Sequence, residues 1–158
     1  MIKNILITGG TGLIGYELLK HYIANTEYII YQVVRKESDQ KNLLNLDNIK
    51  KIFLDLNDAS FASRLPNNID TIVHLAQSEN YRNFPQYAND IFNINLSSTF
   101  HLLEYARKSN CKNFFYASSG SVYDNSKTEN LPFSEKSSIK TNPKDFYTAS
   151  KLAAENII

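Results

Sequence analysis

Gly9, Gly12 and Gly15, three of the chain's five glycines, fall within seven residues directly after its first apolar run, Ile5-Leu6-Ile7. From Leu13 onward the apolar residues Leu13, Ile14, Leu18, Leu19 and Ile23 repeat at helical spacing. The segment therefore reads as a strand, a glycine turn and a helix. In that setting the three glycines do different things. One permits the tight turn, another lets a pyrophosphate approach the backbone, and the third lets helix and strand pack closely. The helix N-terminus adds unpaired N–H groups and a partial positive charge. Ordinary turn glycines are the alternative, and the strand–turn–helix context favours the phosphate reading.

The remaining pattern alternates in the same way. Tyr28 to Val34, Ile49 to Leu54, Thr71 to Leu75 and Asn113 to Ala117 are short runs rich in β-branched or aromatic residues, read as strands two to five. Pro85 to Arg107 predicts a long helix with the proline in its first turn. A last helix opens near Asp145 and carries Ala149, Leu152, Ala153, Ile157 and Ile158. Between them, residues 124 to 144 form a polar stretch with neither period, a length that usually marks a functional or disordered loop. Short buried strands alternating with helices predict an α/β fold: a doubly wound, Rossmann-like parallel sheet of about five strands with helices on both faces.

With 158 residues the chain makes about one domain, here a dinucleotide-binding domain over residues 1–158, large enough to fold without disulfides or metals. Its single cysteine excludes an internal disulfide. Lys and Arg number 17 against 16 Asp and Glu and form no stripe, which argues against nucleic acid as a main partner. No apolar stretch approaches the length of a membrane span or a signal-peptide core, so a soluble, cytoplasmic protein is expected.

Two further groups carry chemistry. Strand two ends in Arg35-Lys36, where dinucleotide sites often place a carboxylate for the adenosine ribose. A guanidinium there suits a 2′-phosphate and tilts the cofactor towards NADP. A solvated Arg35, with Glu37 reaching the ribose instead, is the alternative. Ser118-Ser119 follows strand five, and Tyr147 and Lys151 stand at i and i+4 of the last helix, on one face. Ionising a phenol near neutral pH requires roughly 4 kcal/mol of preferential stabilisation. A neighbouring ammonium and the positive nicotinamide of an oxidised cofactor are groups able to supply it. The spacing alone is common in helices; joined to the glycine turn and to serines at the C-terminal end of a later strand it points to acid/base work on an alcohol or ketone.

Other polar residues read as structural. His74 lies on a buried strand, and the three histidines show no metal-ligand spacing, so no metal is expected. Cys111 reads as a buried or edge thiol, and Tyr81-Arg82 as solvated loop residues, although that loop could reach a substrate phosphate.

Together these residues resemble the extended short-chain dehydrogenase/reductases, specifically the NAD-dependent epimerase/dehydratase family acting on nucleotide sugars. The stretch Thr8-Gly9-Gly10-Thr11-Gly12-Leu13-Ile14-Gly15 looks like that family's phosphate turn, and Asp55-Leu56 like its adenine contact. Leu75-Ala76 resembles the backbone beside the cofactor, and Asn95 the asparagine of its fourth helix. Ser119, Tyr147 and Lys151 match its catalytic triad, with Tyr147 and Lys151 also at the cofactor. Arg35, Gln77 and Ser98 depart from its frequent acid and glycines. The resemblance implies a nucleotide-sugar epimerase, dehydratase or reductase working by hydride transfer at NAD(P), Tyr147 as acid/base, Ser119 holding the substrate oxygen and Lys151 anchoring the ribose. A noncatalytic dinucleotide-binding module and a redox-sensing regulator are the competing readings.

The likeness covers all of this chain but only about the first half of a usual member. A truncated form, a fragment of a longer product or the product of a degenerate gene is therefore expected, with little sugar-nucleotide turnover of its own. The family commonly forms homodimers through its fourth and fifth long helices, here those near Pro85 to Arg107 and after Asp145; the second is cut short at Ile158, which leaves less apolar surface, so association of this chain is expected to be weak or prone to aggregation.

Overall fold

A computed structural model describes residues 3–23, 27–36, 43–124 and 132–158. Five parallel strands form one sheet: β1 (Lys3–Thr8), β2 (Tyr28–Val34), β3 (Ile49–Phe53), β4 (Thr71–His74) and β5 (Asn113–Tyr116), in the order β3-β2-β1-β4-β5. The chain builds outward from β1 to β3, then crosses back to lay β4 on the other side of β1. The first connections of the two halves diverge above β1 and β4, and the crevice at these carboxyl ends is where open α/β sheets bind ligands.

Alternation of side chains along the strands fills both faces. Ile5 and Ile7 of β1 join Leu19, Ile30, Ile49 and Val73 beneath α1 (Leu13–Ile23). Leu6, between them, points the other way into Val33, Leu54, Phe61, Ile72 and Leu102. That second face is covered by a 3-10 turn (Phe61–Arg64) and by the long helical element after β4. The expected doubly wound architecture is thus present, with helices on both faces. No described helix is long and apolar enough to cross a membrane.

The long helix differs from its sequence expectation in two ways. It begins at Ala88, not Pro85: residues 83–87 turn first, with the Tyr87 N–H donating to the Asn83 carbonyl and the Ala88 N–H to that of Pro85. Within this turn Phe84 stacks on Phe146 of the last helix with ring centroids 4.9 Å apart, a tertiary contact that local periodicity does not record. It is also interrupted. Between α2 (Ala88–Phe92) and α3 (Ser98–Lys108) lies a π turn, Asn93–Ser97. The Ser98 and Thr99 hydroxyls donate to the Ile94 and Asn95 carbonyls at 2.6 and 2.9 Å, local bonds that compete with the backbone ladder where the helix widens. Asn110, at φ 55°, closes α3 in the left-handed conformation common at helix ends.

After β5 the chain makes a short 3-10 turn (Gly120–Val122), and the returning segment pairs Ile139 with Tyr123 in an antiparallel bridge. It then delivers α4 (Phe146–Ile157), whose N-cap is Asp145: its carboxylate accepts the Thr148 N–H at 2.7 Å.

Candidate active site

The glycine turn sits at the carboxyl end of β1. Gly9 has φ +71°, and a Cβ there would lie 2.7 Å from the Ala76 N atom; a Cβ on Gly15 would lie 2.3 Å from the Gly9 carbonyl oxygen. These two glycines are required by the fold itself, the first by its backbone and the second by the closeness of α1 to the turn. Gly12 is different. A Cβ on it would meet only the Gly9 carbonyl oxygen, at 3.3 Å, and otherwise open space. Its outer face is a cradle that a side chain would fill, and it opens beside the N-terminus of α1. Leu13 and Ile14, in the first turn of that helix, are 83% and 67% exposed, an apolar pair unusual in a turn otherwise lined by backbone. Thr11 is half-buried between them and Gly10. The Gly12 N–H itself donates to the Gly9 carbonyl at 3.1 Å, so what suits a phosphate with an attached ribose here is the helix N-terminus beside the open face of Gly12 and its apolar flank.

Arg35 leaves the end of β2 and forms an ion pair with Glu79, from the segment after β4. The sequence offered no sign of this partner, which lies 44 residues away. Glu37, the alternative ribose partner, lies outside the described residues. Asp55 is exposed, its carboxylate accepting the Asn57 N–H at 2.9 Å, while Leu56 is buried in the core with Leu54 and Phe61. Next to them Asp90 gathers donors from Ser78, Asn57 and Asn80. Burial raises its pKa, but these hydrogen bonds and the Arg35 charge prevail and hold the carboxyl below its ordinary range.

Leu75 and Ala76 continue β4 past the turn. The Leu75 N–H donates to the Thr8 carbonyl at 3.2 Å and the Ala76 N–H to Thr8 Oγ1 at 3.3 Å, which binds this stretch to the end of β1. Thr8 Oγ1 is also 2.6 Å from Nδ1 of His74, whose Nε2 meets Thr99 Oγ1 at 3.1 Å. Burial, with a smaller contribution from the Lys151 charge, lowers the His74 pKa to about 3, so the ring is neutral at physiological pH. His74 is a satisfied core histidine, as expected, and among the described residues no cluster of three metal-ligating side chains occurs.

Tyr147 and Lys151 neighbour each other on α4, with Lys151 reaching the end of β5, and Ser119 follows that strand. Ser119 caps the 3-10 turn, its Oγ accepting the Ser121 N–H at 3.2 Å, an arrangement that leaves its own O–H to donate elsewhere. Lys151 is only 1% exposed; Nζ donates to the Ala117 carbonyl at 2.8 Å and lies 4.8 and 6.0 Å from the ring centroids of Tyr116 and Tyr147. Burial lowers its pKa to about 8, against the pull of Glu155. The ammonium is therefore mostly charged at neutral pH yet poorly solvated, and it stays close to the phenol ring.

Asn95 is fully buried in the π turn. Its Oδ1 accepts the Ser78 N–H at 2.9 Å, and its Nδ2 donates at 3.0 Å to Ser150 Oγ, which in turn donates to the Tyr147 carbonyl at 2.7 Å. Its amide thus ties the segment after β4 to the first turn of α4, and it touches Tyr147 only through Ser150. Gln77, known from sequence only as a departure from a frequent glycine, accepts the Tyr147 hydroxyl at 2.9 Å. The Tyr81 ring packs on that of Tyr147 with centroids 4.9 Å apart, and Arg82 lies over Tyr81. These two line an open cleft of about 380 Å³ with Phe84, Lys144, Phe146 and Tyr147. Arg82 is exposed, as its loop reading expects, and with the half-buried Tyr81 it forms one wall beside the phenol.

Comparison with known proteins follows the same lines. A profile described as the NAD dependent epimerase/dehydratase family matches residues 5–158. A Methanocaldococcus jannaschii protein is 32% identical over 97% of this chain and 50% of its own length. A dTDP-D-glucose 4,6-dehydratase of Dictyostelium discoideum is 30% identical over 99% of this chain and 40% of its own. Among solved structures, the UDP-N-acetylglucosamine 4-epimerase of Methanobrevibacter ruminantium M1, in complex with UDP-N-acetylmuramic acid, superposes with a TM-score of 0.82 at 25% identity, over 98% of this chain and 49% of that one. The chain spans about half the length, or less, of the curated relatives it matches.

Proposed function

This chain belongs to the NAD dependent epimerase/dehydratase family, and from that membership we propose that it holds NAD(P) at the Gly9–Gly15 turn and serves the epimerisation, dehydration or reduction of a nucleotide-linked sugar. The observation that carries the reading is the convergence, at one end of the sheet, of an open-faced Gly12 with the Ser119, Tyr147 and Lys151 set. The relatives acting on dTDP-glucose and the solved epimerase with a bound UDP-sugar support the substrate class.

In this reading Thr11 and Gly12 receive the pyrophosphate in the tight turn that Gly9 and Gly15 allow to form, and Leu13 and Ile14 cover the adjoining ribose. Asp55 flanks the adenine, with only the backbone of Leu56 beside it because that side chain is in the core, while Leu75 and Ala76 lie along the nicotinamide half. When bound, the nicotinamide ring supplies a place for hydride to be taken from the sugar and returned. Tyr147 moves a proton at its Oη to or from the substrate oxygen, and Ser119 donates its O–H to that same oxygen. Lys151 anchors a ribose hydroxyl and holds positive charge against the phenol. Asn95 is a positioning residue, acting on Tyr147 through Ser150. Arg35 favours a 2′-phosphate and so NADP over NAD. The exposed faces of α2 and α3, carrying Phe92 and Phe100, are the surface through which a second copy would pack.

Calorimetric titration with NAD(P)H tests the assignment. Gly12→Asp fills the cradle and sets a carboxylate against the phosphates, so binding should disappear; unchanged affinity would overturn the reading.

A further inference from the structure

Gln32 is out of place where it stands. It lies in the middle of β2, opposite Ile7 of β1, and it is fully buried. The fully buried side chains around it are aliphatic, Ile5, Ile7, Leu19, Ile30, Ile49 and Val73, with Tyr28 and the half-buried Lys51, its register partner on β3, towards the margin. Among the described residues neither its Nε2 nor its Oε1 has a hydrogen-bond partner. Burying an unpaired amide is unfavourable, whereas a methionine or leucine of similar volume would fill the same space without that penalty. Packing alone does not account for this residue.

Its side chain is aimed at the glycine turn. A Cβ on Gly10 would lie 2.9 Å from Gln32 Nε2 and 3.0 Å from its Cγ. Gly10 is not one of the three regularly spaced glycines, and the positive-φ glycine is Gly9, not Gly10. What crowds position 10 is the amide beneath it, together with Leu19, whose Cδ1 would be 3.2 Å away, so any side chain there would displace Gln32. The two features explain each other: the backbone has no side chain at the point where a buried N–H group comes up from below.

We propose that Gln32 is a positioning residue for the pyrophosphate of a bound dinucleotide, an inference that rests on the dinucleotide reading above. The donor end of its amide faces the underside of the turn whose upper side, at Gly12 and the N-terminus of α1, faces the phosphates. In dry surroundings this fixed dipole is little screened. It adds positive potential to the turn and favours the backbone arrangement that presents N–H groups to an anion. The amide is kept although it weakens the free fold, because its benefit appears when the anion is bound.

The test compares the wild-type chain with Gln32→Met and, as a second apolar variant, Gln32→Leu. Thermal unfolding and calorimetric titration with NADH and NADPH are measured on each. The expected result is a higher Tm than wild type together with about tenfold weaker dinucleotide binding, the size of one lost polar interaction. A merely structural role would lower the Tm, and that outcome overturns the proposal even if binding weakens. Wild-type affinity in both variants also overturns it while leaving the dinucleotide reading intact. Failure of the wild type itself to bind either dinucleotide overturns both.

Discussion

The hydroxyl of Tyr147 donates a 2.9 Å hydrogen bond to Oε1 of Gln77, across 70 residues of sequence and between two different layers of the fold. The proposed acid/base residue is thereby held by a neutral acceptor next to the end of β4, and a reacting sugar oxygen would have to take over this bond. In the proposed function Gln77 would compete with substrate for the phenol, whose position in this structure it fixes.

A double-mutant cycle on Gln77→Ala and Tyr147→Phe measures this contact without any need for turnover. Urea unfolding of the two single variants and the double variant should give a coupling of about 0.5–1.5 kcal/mol, the usual net value of one hydrogen bond. Additive effects would show that the contact contributes nothing to the folded chain in solution.

Cofactor choice should depend on Glu79 as well as Arg35. NADPH is expected to bind more tightly than NADH, and Arg35→Asp to reverse that order. Because the Arg35–Glu79 pair is exposed on both sides, releasing the guanidinium by Glu79→Gln should raise the preference for NADPH by only about threefold, in line with the small worth of surface ion pairs. A wild-type preference for NADH in competition titrations would refute the role given to Arg35.

Acid stability should report on His74. Its pKa in the folded chain, about 3, lies below the 6.5 of an exposed histidine, so the unfolded chain takes up the extra proton as pH falls between those values. The stability tied to the neutral ring is present in full above pH 6.5 and is lost progressively towards pH 3, up to about 5 kcal/mol in all. Urea midpoints at pH 7 and pH 4.5 should therefore diverge in the wild type, and His74→Gln should flatten the part of that slope which the carboxylates do not account for. An unchanged slope would show that the ring is accessible to protons in the native state.

Self-association should involve the outer face of the long helical element, where Phe92 and Phe100 are 47% and 51% exposed. Sedimentation equilibrium is expected to show weak dimerisation that Phe100→Glu removes without changing the Tm. A tight dimer unaffected by that variant would place the contact elsewhere.

What could be read from the sequence is what local spacing records. The strand–turn–helix at Gly9, Gly12 and Gly15 and the five apolar runs follow from patterns no longer than one element. The shared face of Tyr147 and Lys151, one helical turn apart, is likewise a local property. His74 was legible as a core residue because its strand is apolar on both sides.

The tertiary structure decided everything that depends on which elements become neighbours. Placing β4 beside β1 brings Gln77 to Tyr147, Glu79 to Arg35, and Asn95 between Ser78 and Ser150. Phe84 stacks on Phe146 ahead of the helix that begins at Ala88, and the helix widens at residues 93–97 where the Ser98 and Thr99 hydroxyls compete for its carbonyls. Gln32 acquires a reason only when Gly10 comes to lie above it. Periodicity states that a side chain points to one face of its own strand or helix, but it holds no record of what the opposite surface will be; that is settled when the sheet order closes and each buried polar group either meets a partner or does not.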